Sequence, residues 1–370
     1  MECKIEELEI KEELMIHIAN HLPFIVKGSF LTKQYHKDPQ ARLKSGGDID
    51  LIYHGSNGTI PKLCAFDYES RTQFLQEAGK MLKHELLDIF YKLEEIMTRR
   101  LELTERPGFI LELEYIGFDD IFERSYSIYP FLVNYAADGD FATIGLEISD
   151  PYFFTEIDIA IDMPVHFQPE TILYRTLTGK EVMLKNTTPL IYQTAWKIHQ
   201  IIVRPRLKDL DDVIRFLPHI DFKDRHNFEI FFDEIISECK LTDEKTGKTS
   251  IDTLKRPFTK EDAMRFMETG TLCKRKVKKT CKTAMDTLKK LFTKEDAMKI
   301  FKTETILCDY DKMIYYSDLY GIPWQIEKTE HSTKYDTEEL EQEVCSCFLK
   351  ALHSEINCNA AVEYIEKRCH

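Results

Sequence analysis

No run of apolar residues in this 370-residue chain approaches the roughly 18 that a membrane-crossing helix needs, so no transmembrane span is expected. The first residues, Met1 to Glu13, are densely charged and have no apolar core. They do not read as a secretory leader, and the expected compartment is the cytoplasm. No CxxC pair occurs. The ten cysteines are irregularly spaced, eight of them at or beyond Cys239. The close pair Cys345 and Cys347 has neither a matching pair nor histidines at zinc spacing, so no cysteine metal site is expected. In that compartment the thiols should be reduced, and many should be buried as small hydrophobes. An excess of positive charge is also missing. A net charge of −14 argues against a broad nucleic-acid-coating surface, though not against a local basic patch.

What is present is an ordinary globular composition, 43% hydrophobic and 31% charged, at a length that can bury a full core and support two or more subdomains. The most informative stretch runs from Ile25 to Tyr53. An apolar run, Phe24-Ile25-Val26, leads into Gly28-Ser29 at an expected helix start. A polar loop with Pro39 and Gly46-Gly47 follows, and Asp48-Ile49-Asp50-Leu51-Ile52-Tyr53 alternates like a half-buried strand. Side chains two apart on a strand share a face, so Asp48 and Asp50 project together. Paired carboxylates of this kind suit an oxygen-ligated cation such as Mg²⁺. Gly28 would let the backbone approach a phosphate, and Ser29 adds a hydroxyl at the positive end of a helix. An acidic hairpin with ordinary surface aspartates is the plainer alternative.

Around this stretch, residues 4–20 read as an amphipathic helix, 66–100 as a helical region, and 109–146 as strand-like segments with a turn at Asp138-Gly139-Asp140. Phe153–Val165 is a second alternating strand, with Glu156, Asp158, Ala160 and Asp162 on one face and Ile157, Ile159 and Ile161 on the other. Its acids are either solvated or meet Asp48 and Asp50 across a sheet, with Asp158 the candidate because it sits mid-strand. In Asn186–Pro218, Thr188 and Pro189 suit the N-cap and N1 positions of a helix carrying Lys197 at the margin of its apolar face. Pro205 ends that helix, and a second one places Asp209 and Asp212 on a common face. Taken alone, this is a helical hairpin with surface salt bridges.

Beyond Pro218 the chain reads as helical. Asp221–Lys240 is a helix rich in Phe, Ile and acids. Residues 252–271 then return as 286–305, the Thr-Lys-Glu-Asp-Ala-Met string recurring after 34 residues with Thr259 and Thr293 at capping-box-like helix starts. Two copies do not make a tetratricopeptide array, and a duplicated helical element is the reading. A basic run, Lys274 to Lys290, lies at the junction. It is either a solvated linker or a phosphate-backbone contact for RNA. Tyr310, Tyr315, Tyr316, Tyr320 and Trp324 follow and could pack or stack on bases, and Glu338–Arg368 closes the chain as an amphipathic helical region.

Gly28-Ser29 followed by Asp48-Ile49-Asp50-Leu51 resembles the signature of the nucleotidyltransferase superfamily. With Glu156-Ile157-Asp158-Ile159, Ala195-Trp196-Lys197-Ile198 and Lys208-Asp209-Leu210-Asp211-Asp212-Val213 in the same order, the chain resembles one branch of it, the AbiEii-like family, toxins of type IV toxin–antitoxin systems. The resemblance covers residues 25–218. It departs in the extra glycine of Gly46-Gly47, in Lys208 where arginine is usual, and in Gln200 where a small residue is common.

The resemblance implies an α+β fold with a mixed sheet flanked by helices over residues 1–218, a nucleotidyltransferase catalytic region, followed by a helical region at 219–370. It implies Gly28, Ser29 and Lys197 on the NTP, and Asp48 and Asp50, completed by Asp158 or Asp212, on Mg²⁺. Lys197 would offset phosphate charge. Asp209 or Asp212 would either position Lys197 or activate the acceptor hydroxyl. The implied activity is transfer of a nucleotide from an NTP, in relatives to the 3′ end of tRNA, by a toxin with a cognate antitoxin protein as partner and no membrane association. The rivals are a nucleotidyltransferase acting on a small molecule or a protein side chain, and a catalytically inactive relative serving as a binding module. Intact Gly28, Ser29, Asp48, Asp50 and Lys197 speak against the last.

Overall fold

In the computed structural model, residues 2–36, 48–55, 68–100, 109–112, 117–120, 127–132, 143–150, 153–161, 163–249, 283–303, 306 and 337–369 are described. Gly46, Gly47, the 138–140 turn, Asp162, the first copy of the duplication, Lys274–Lys282 and the aromatic residues from Tyr310 to Trp324 lie outside them. The architecture is α+β, as expected. Strands β1 (Phe24–Lys27), β2 (Ile49–Tyr53), β5 (Ser127–Leu132), β6 (Thr143–Asp150), β7 (Phe153–Ala160), β8 (Glu170–Arg175) and β9 (Glu181–Thr187) form a mixed sheet in the order β5-β6-β7-β2-β1-β9-β8. The β2–β7 and β1–β9 pairs are parallel and the rest antiparallel. Strands β3 (Phe109–Glu112) and β4 (Gly117–Asp120) pair separately.

Helix α1 (Glu2–His21) lays Leu8, Leu14, Met15, Ile18 and Ala19 into the core beneath the sheet. The one-turn α2 (Ser29–Thr32) follows β1, and α3 (Tyr68–Met81) and α4 (Lys83–Arg100) share the core with α1. Period-two alternation explains the strands. Ile49, Leu51 and Tyr53 of β2, with Ile157 and Ile159 of β7 and the adjacent Ile161, point into this core, while Ile52 and Ala160 face the other way. The second half is helical: α5 (Leu190–Val203), α6 (Leu207–Phe216), α7 (Arg225–Thr249), α8 (Ala284–Phe292), α9 (Lys294–Thr303), α10 (Thr337–Glu355) and α11 (Cys358–Cys369). Their apolar faces make a separate cluster from Ala195 to Ile365. The α5–α6 hairpin thus gives one apolar side to the helical half, while Gln193 and Trp196 of α5 face the sheet. Among the described residues, no helix is long and apolar enough to cross a membrane.

Three helix ends differ in detail from the sequence expectation. Pro189 is itself the N-cap of α5, with φ −57° and ψ 141°, and not its first helical residue. Thr188 is pulled out of the capping role because its hydroxyl donates to Val26 O at 3.1 Å, which fastens the start of α5 to β1. Helix α7 begins at Arg225, not Asp221, since the carboxylates of Asp221 and Asp224 accept from the backbone N–H groups of Lys223 and His226 at 3.0 and 2.9 Å and hold the chain in turns. Thr293 does not cap α9 with its side chain. Its hydroxyl reaches back to Lys289 O at 3.2 Å, and the capping hydroxyl is Thr283, which accepts from Asp286 N at 3.0 Å at the head of α8.

Candidate functional site

The sheet face away from α1 carries two transverse rows. Register places Lys27, Asp50 and Asp158 side by side on β1, β2 and β7, and beside them Ile25, Ile52 and Ala160. The first row is a polar strip and the second an apolar one. Lys27 Nζ lies 3.7 Å from Asp50 Oδ1. Asp48 sits just before β2, two residues from Asp50 and so on its side of the sheet.

The three carboxylates strain against one another. The carboxyl of Asp158 is pushed up to about 7, first by burial and next by the charge of Asp50, with Lys27 opposing. Asp48 is also raised, again first by burial and then by Asp50, while Lys11, Lys208 and Lys33 pull it down. Among the described residues, no three acidic, histidine or cysteine side chains already converge as a metal cage. The fit to a divalent cation rests instead on chemistry: all-oxygen donors on adjacent strands, with mutual repulsion that a cation would relieve. That donor set suits Mg²⁺ better than a softer metal.

Gly28 stands directly over this strip. Its φ of 77° lies in the region that favours glycine, and a Cβ there would sit 2.0 Å from Asp50 Oδ2. The absence of a side chain is therefore what lets the turn after β1 close over the carboxylate. The Gly28 N–H donates to Gln193 Oε1 at 3.2 Å, and Gln193 Nε2 donates to Thr188 O at 2.9 Å. Ser29 Oγ is buried with no hydrogen-bond partner among the described residues. Helix α2 is only four residues long, so the dipole expected to assist at Ser29 is that of a single turn.

The remaining sequence-predicted residues form a second, adjoining cluster. Lys197 Nζ donates to Asp209 Oδ1 at 2.6 Å and lies 3.2 Å from Asp212 Oδ2. Burial works against the Lys197 ammonium, yet its pKa ends above the usual lysine value because Asp209 and Asp212 outweigh that penalty. Asp209 also receives the Arg206 guanidinium. Asp212 Oδ1 meets His36 Nε2 at 3.2 Å, and Asp211 is bound by Arg215 at 3.1 Å with His36 Nδ1 at 3.9 Å. Asp209 and Asp211 are wholly buried and Asp212 is 2% exposed, so these carboxylates are sealed inside the hairpin.

The structure therefore brings Gly28, Ser29, Asp48, Asp50 and Asp158 together on one face of the central strands β1, β2 and β7, and Lys197, Asp209 and Asp212 together in the hairpin. Gln193, one turn before Lys197 on α5, and His36, at the end of the segment that begins with Ser29, connect the two groups. Neither was singled out by sequence, nor were Lys27 and Asp211. Lys27 precedes Gly28, Gln193 is four residues from Lys197, and Asp211 lies inside the Lys208–Val213 motif, so position could have flagged them. His36 carries no local signal, because its partners are 175 and 176 residues away in the chain (Asp211 and Asp212). Neither the protein-family models nor the curated proteins contain a match to this chain.

Proposed function

We propose that this protein is a Mg²⁺-dependent nucleotidyltransferase that moves a nucleotide from an NTP to an RNA acceptor, the 3′ end of tRNA being the first candidate. The observation that carries the reading is the closure of Gly28-Ser29 over Asp50, which lies in register with Asp158. A side-chain-free backbone and a hydroxyl without a partner among the described residues, beside a strip of carboxylates, make an arrangement suited to a charged phosphate chain and its counter-ion. Asp48, Asp50 and Asp158 would hold the metal. When bound, Mg²⁺ would neutralise phosphate charge and align the phosphate for in-line attack.

The protein's own groups have separable tasks. Gly28 and Ser29 receive the terminal phosphates. Lys197 supplies positive charge toward the reacting phosphate from a position fixed by two carboxylates. Asp209 and Asp212 fit the positioning role better than that of a base for the acceptor hydroxyl, because both contact Lys197 and both are buried. The same contacts favour Asp158 over Asp212 as the third metal ligand, since the oxygens of Asp212 already face Lys197 and His36. The toxin role and an antitoxin partner rest on the family resemblance alone.

Transfer of label from each of the four α-³²P NTPs to total RNA, with Mg²⁺, tests the reading. Labelled RNA of tRNA size that disappears in Asp48→Ala/Asp50→Ala supports it. Labelled protein in place of RNA moves the acceptor and keeps the chemistry. No label at all, with a control enzyme active, rejects the activity.

A further inference from the structure

The apolar row beside the carboxylates is roofed by aromatic side chains with no task in the chemistry above. Trp196 and Phe167 pack against Ile25, Ile52 and Ala160. Phe167 and Tyr192 have ring centroids 4.7 Å apart, and Trp196 lies 6.2 and 6.4 Å from Phe167 and Tyr192. All three rings remain partly exposed. The Trp196 indole is held in one orientation by its N–H, which donates to Glu234 Oε1 at 2.7 Å. Tyr192 and Trp196 are one turn apart on α5 and immediately precede Gln193 and Lys197, which serve the Gly28 and hairpin clusters. Along β2, Ile52 is two residues from Asp50, a step of roughly 6–7 Å on one face.

A polar strip for phosphates thus adjoins, one same-face step along β2, an apolar row on which the aromatic ledge packs. We infer that the ledge of Phe167, Tyr192 and Trp196 binds the nucleobase of the triphosphate whose phosphates lie over Asp50 and Asp158. This rests on the nucleotidyl-transfer reading for its phosphate half only. A nucleotide has this two-part character: a highly charged tail and a flat ring whose faces stack on aromatics. Fixed orientation of Trp196 lowers the entropy cost of forming the stack.

Isothermal titration calorimetry on the full chain with Mg²⁺ separates the two halves by comparing the four NTPs, the four nucleosides and inorganic tripolyphosphate. At least one NTP is expected to bind about tenfold more tightly than tripolyphosphate, the factor that roughly 1.4 kcal/mol of stacking supplies. Tyr192→Ala and Phe167→Ala should erase that margin and leave tripolyphosphate affinity unchanged, while Tyr192→Phe keeps it. Phe167 lies between strands, outside any helix, so its variant serves if Tyr192→Ala fails to fold. Quenching of Trp196 emission by the NTP in a Trp324→Phe background should accompany binding. Equal affinity for NTP and tripolyphosphate, or an NTP margin that survives both alanine variants, overturns the inference. Nucleoside binding lost in those variants, with no tripolyphosphate binding in the parent protein, supports the ledge and rejects the phosphate site. Binding of no probe rejects both.

Discussion

At the scale of single residues, the site depends on one missing side chain and one stressed carboxyl. Gly28→Ala would force a methyl into Asp50 in a left-handed backbone conformation. The expected cost is about 1–3 kcal/mol in urea denaturation, together with loss of Mg²⁺-dependent binding, because Asp50 must leave its row to make room. Asp158 offers a test by pH. Its folded pKa, about 7, is above the ordinary value of 3.8. The stability linked to it is therefore full below about pH 4 and is lost as pH rises through 7. In metal-free buffer, Asp158→Asn should be more stable to unfolding than the parent at pH 8, by an amount on the order of 2 kcal/mol for this partly solvated group, with the gap closing toward pH 4. Added Mg²⁺ should raise the parent's melting temperature more than the variant's. A gap independent of pH would mean that Asp158 is not the strained group.

At the scale of elements, the structure is joined by polar side chains that complete backbone hydrogen bonding where regular pairing stops. Strands β1 and β9 share one register pair, Val26 with Thr187. Beyond it Asn20 of α1 takes over, donating to Met183 O at 2.9 Å and accepting from Lys185 N at 3.0 Å. Gln34 does the same for Arg175 of β8. Glu12 of α1 accepts from the Tyr174 hydroxyl and from Leu177 N, which pins the β8–β9 hairpin over the helix. In the helical half, His199 of α5 pairs with Thr242 of α7 at 2.8 Å, and burial lowers its pKa to about 4. A depressed histidine favours the folded state where the ring is neutral in both states. Stability should then fall as pH drops from about 6.5 toward 4, by up to roughly 3 kcal/mol. His199→Gln should flatten that limb of a stability–pH curve, and an unchanged limb would assign acid sensitivity elsewhere.

At the scale of the whole molecule, two apolar clusters divide the chain near the start of α5, with the sheet and α1, α3 and α4 on one side and α5 to α11 on the other. The bonds of Gly28 to Gln193 and of His36 to Asp212 cross between them, and both sit at the candidate site. The geometry of the candidate site and the coupling of the two cores are thus carried by the same side chains. His36→Ala with Gln193→Ala should broaden or split the calorimetric unfolding transition relative to the parent, since each core keeps its own apolar burial while the buried polar links are cut. A sharp single transition, simply shifted, would show that the links do not couple the cores.

Much of this was legible in the amino-acid order, and the reason is period. Alternation in Asp48–Tyr53 and in residues 153–161 assigned side chains to faces, and helical spacing placed Asp209 and Asp212 on one face, because these are local consequences of backbone geometry. The second strand ends at Ala160, however, and Met163 and Val165, expected beside Ile161, pack with Ile52 and Ala160 instead. Lys197 reaches Asp209 and Asp212 only through the packing of the two helices. The carboxylates of Asp48 and Asp50, the glycine before Ser29 and the helical second half follow from the sequence by itself. Which strand lies beside which does not, because register between distant segments is settled by the closing of a common core. Only the tertiary structure put Asp158 opposite Asp50, brought His36 to Asp212, pressed Gly28 onto a carboxylate and set an apolar row and its aromatic roof beside the acids. Those juxtapositions arise from packing between segments that no local periodicity relates, Asp50 with Asp158 and His36 with Asp212 across more than a hundred residues.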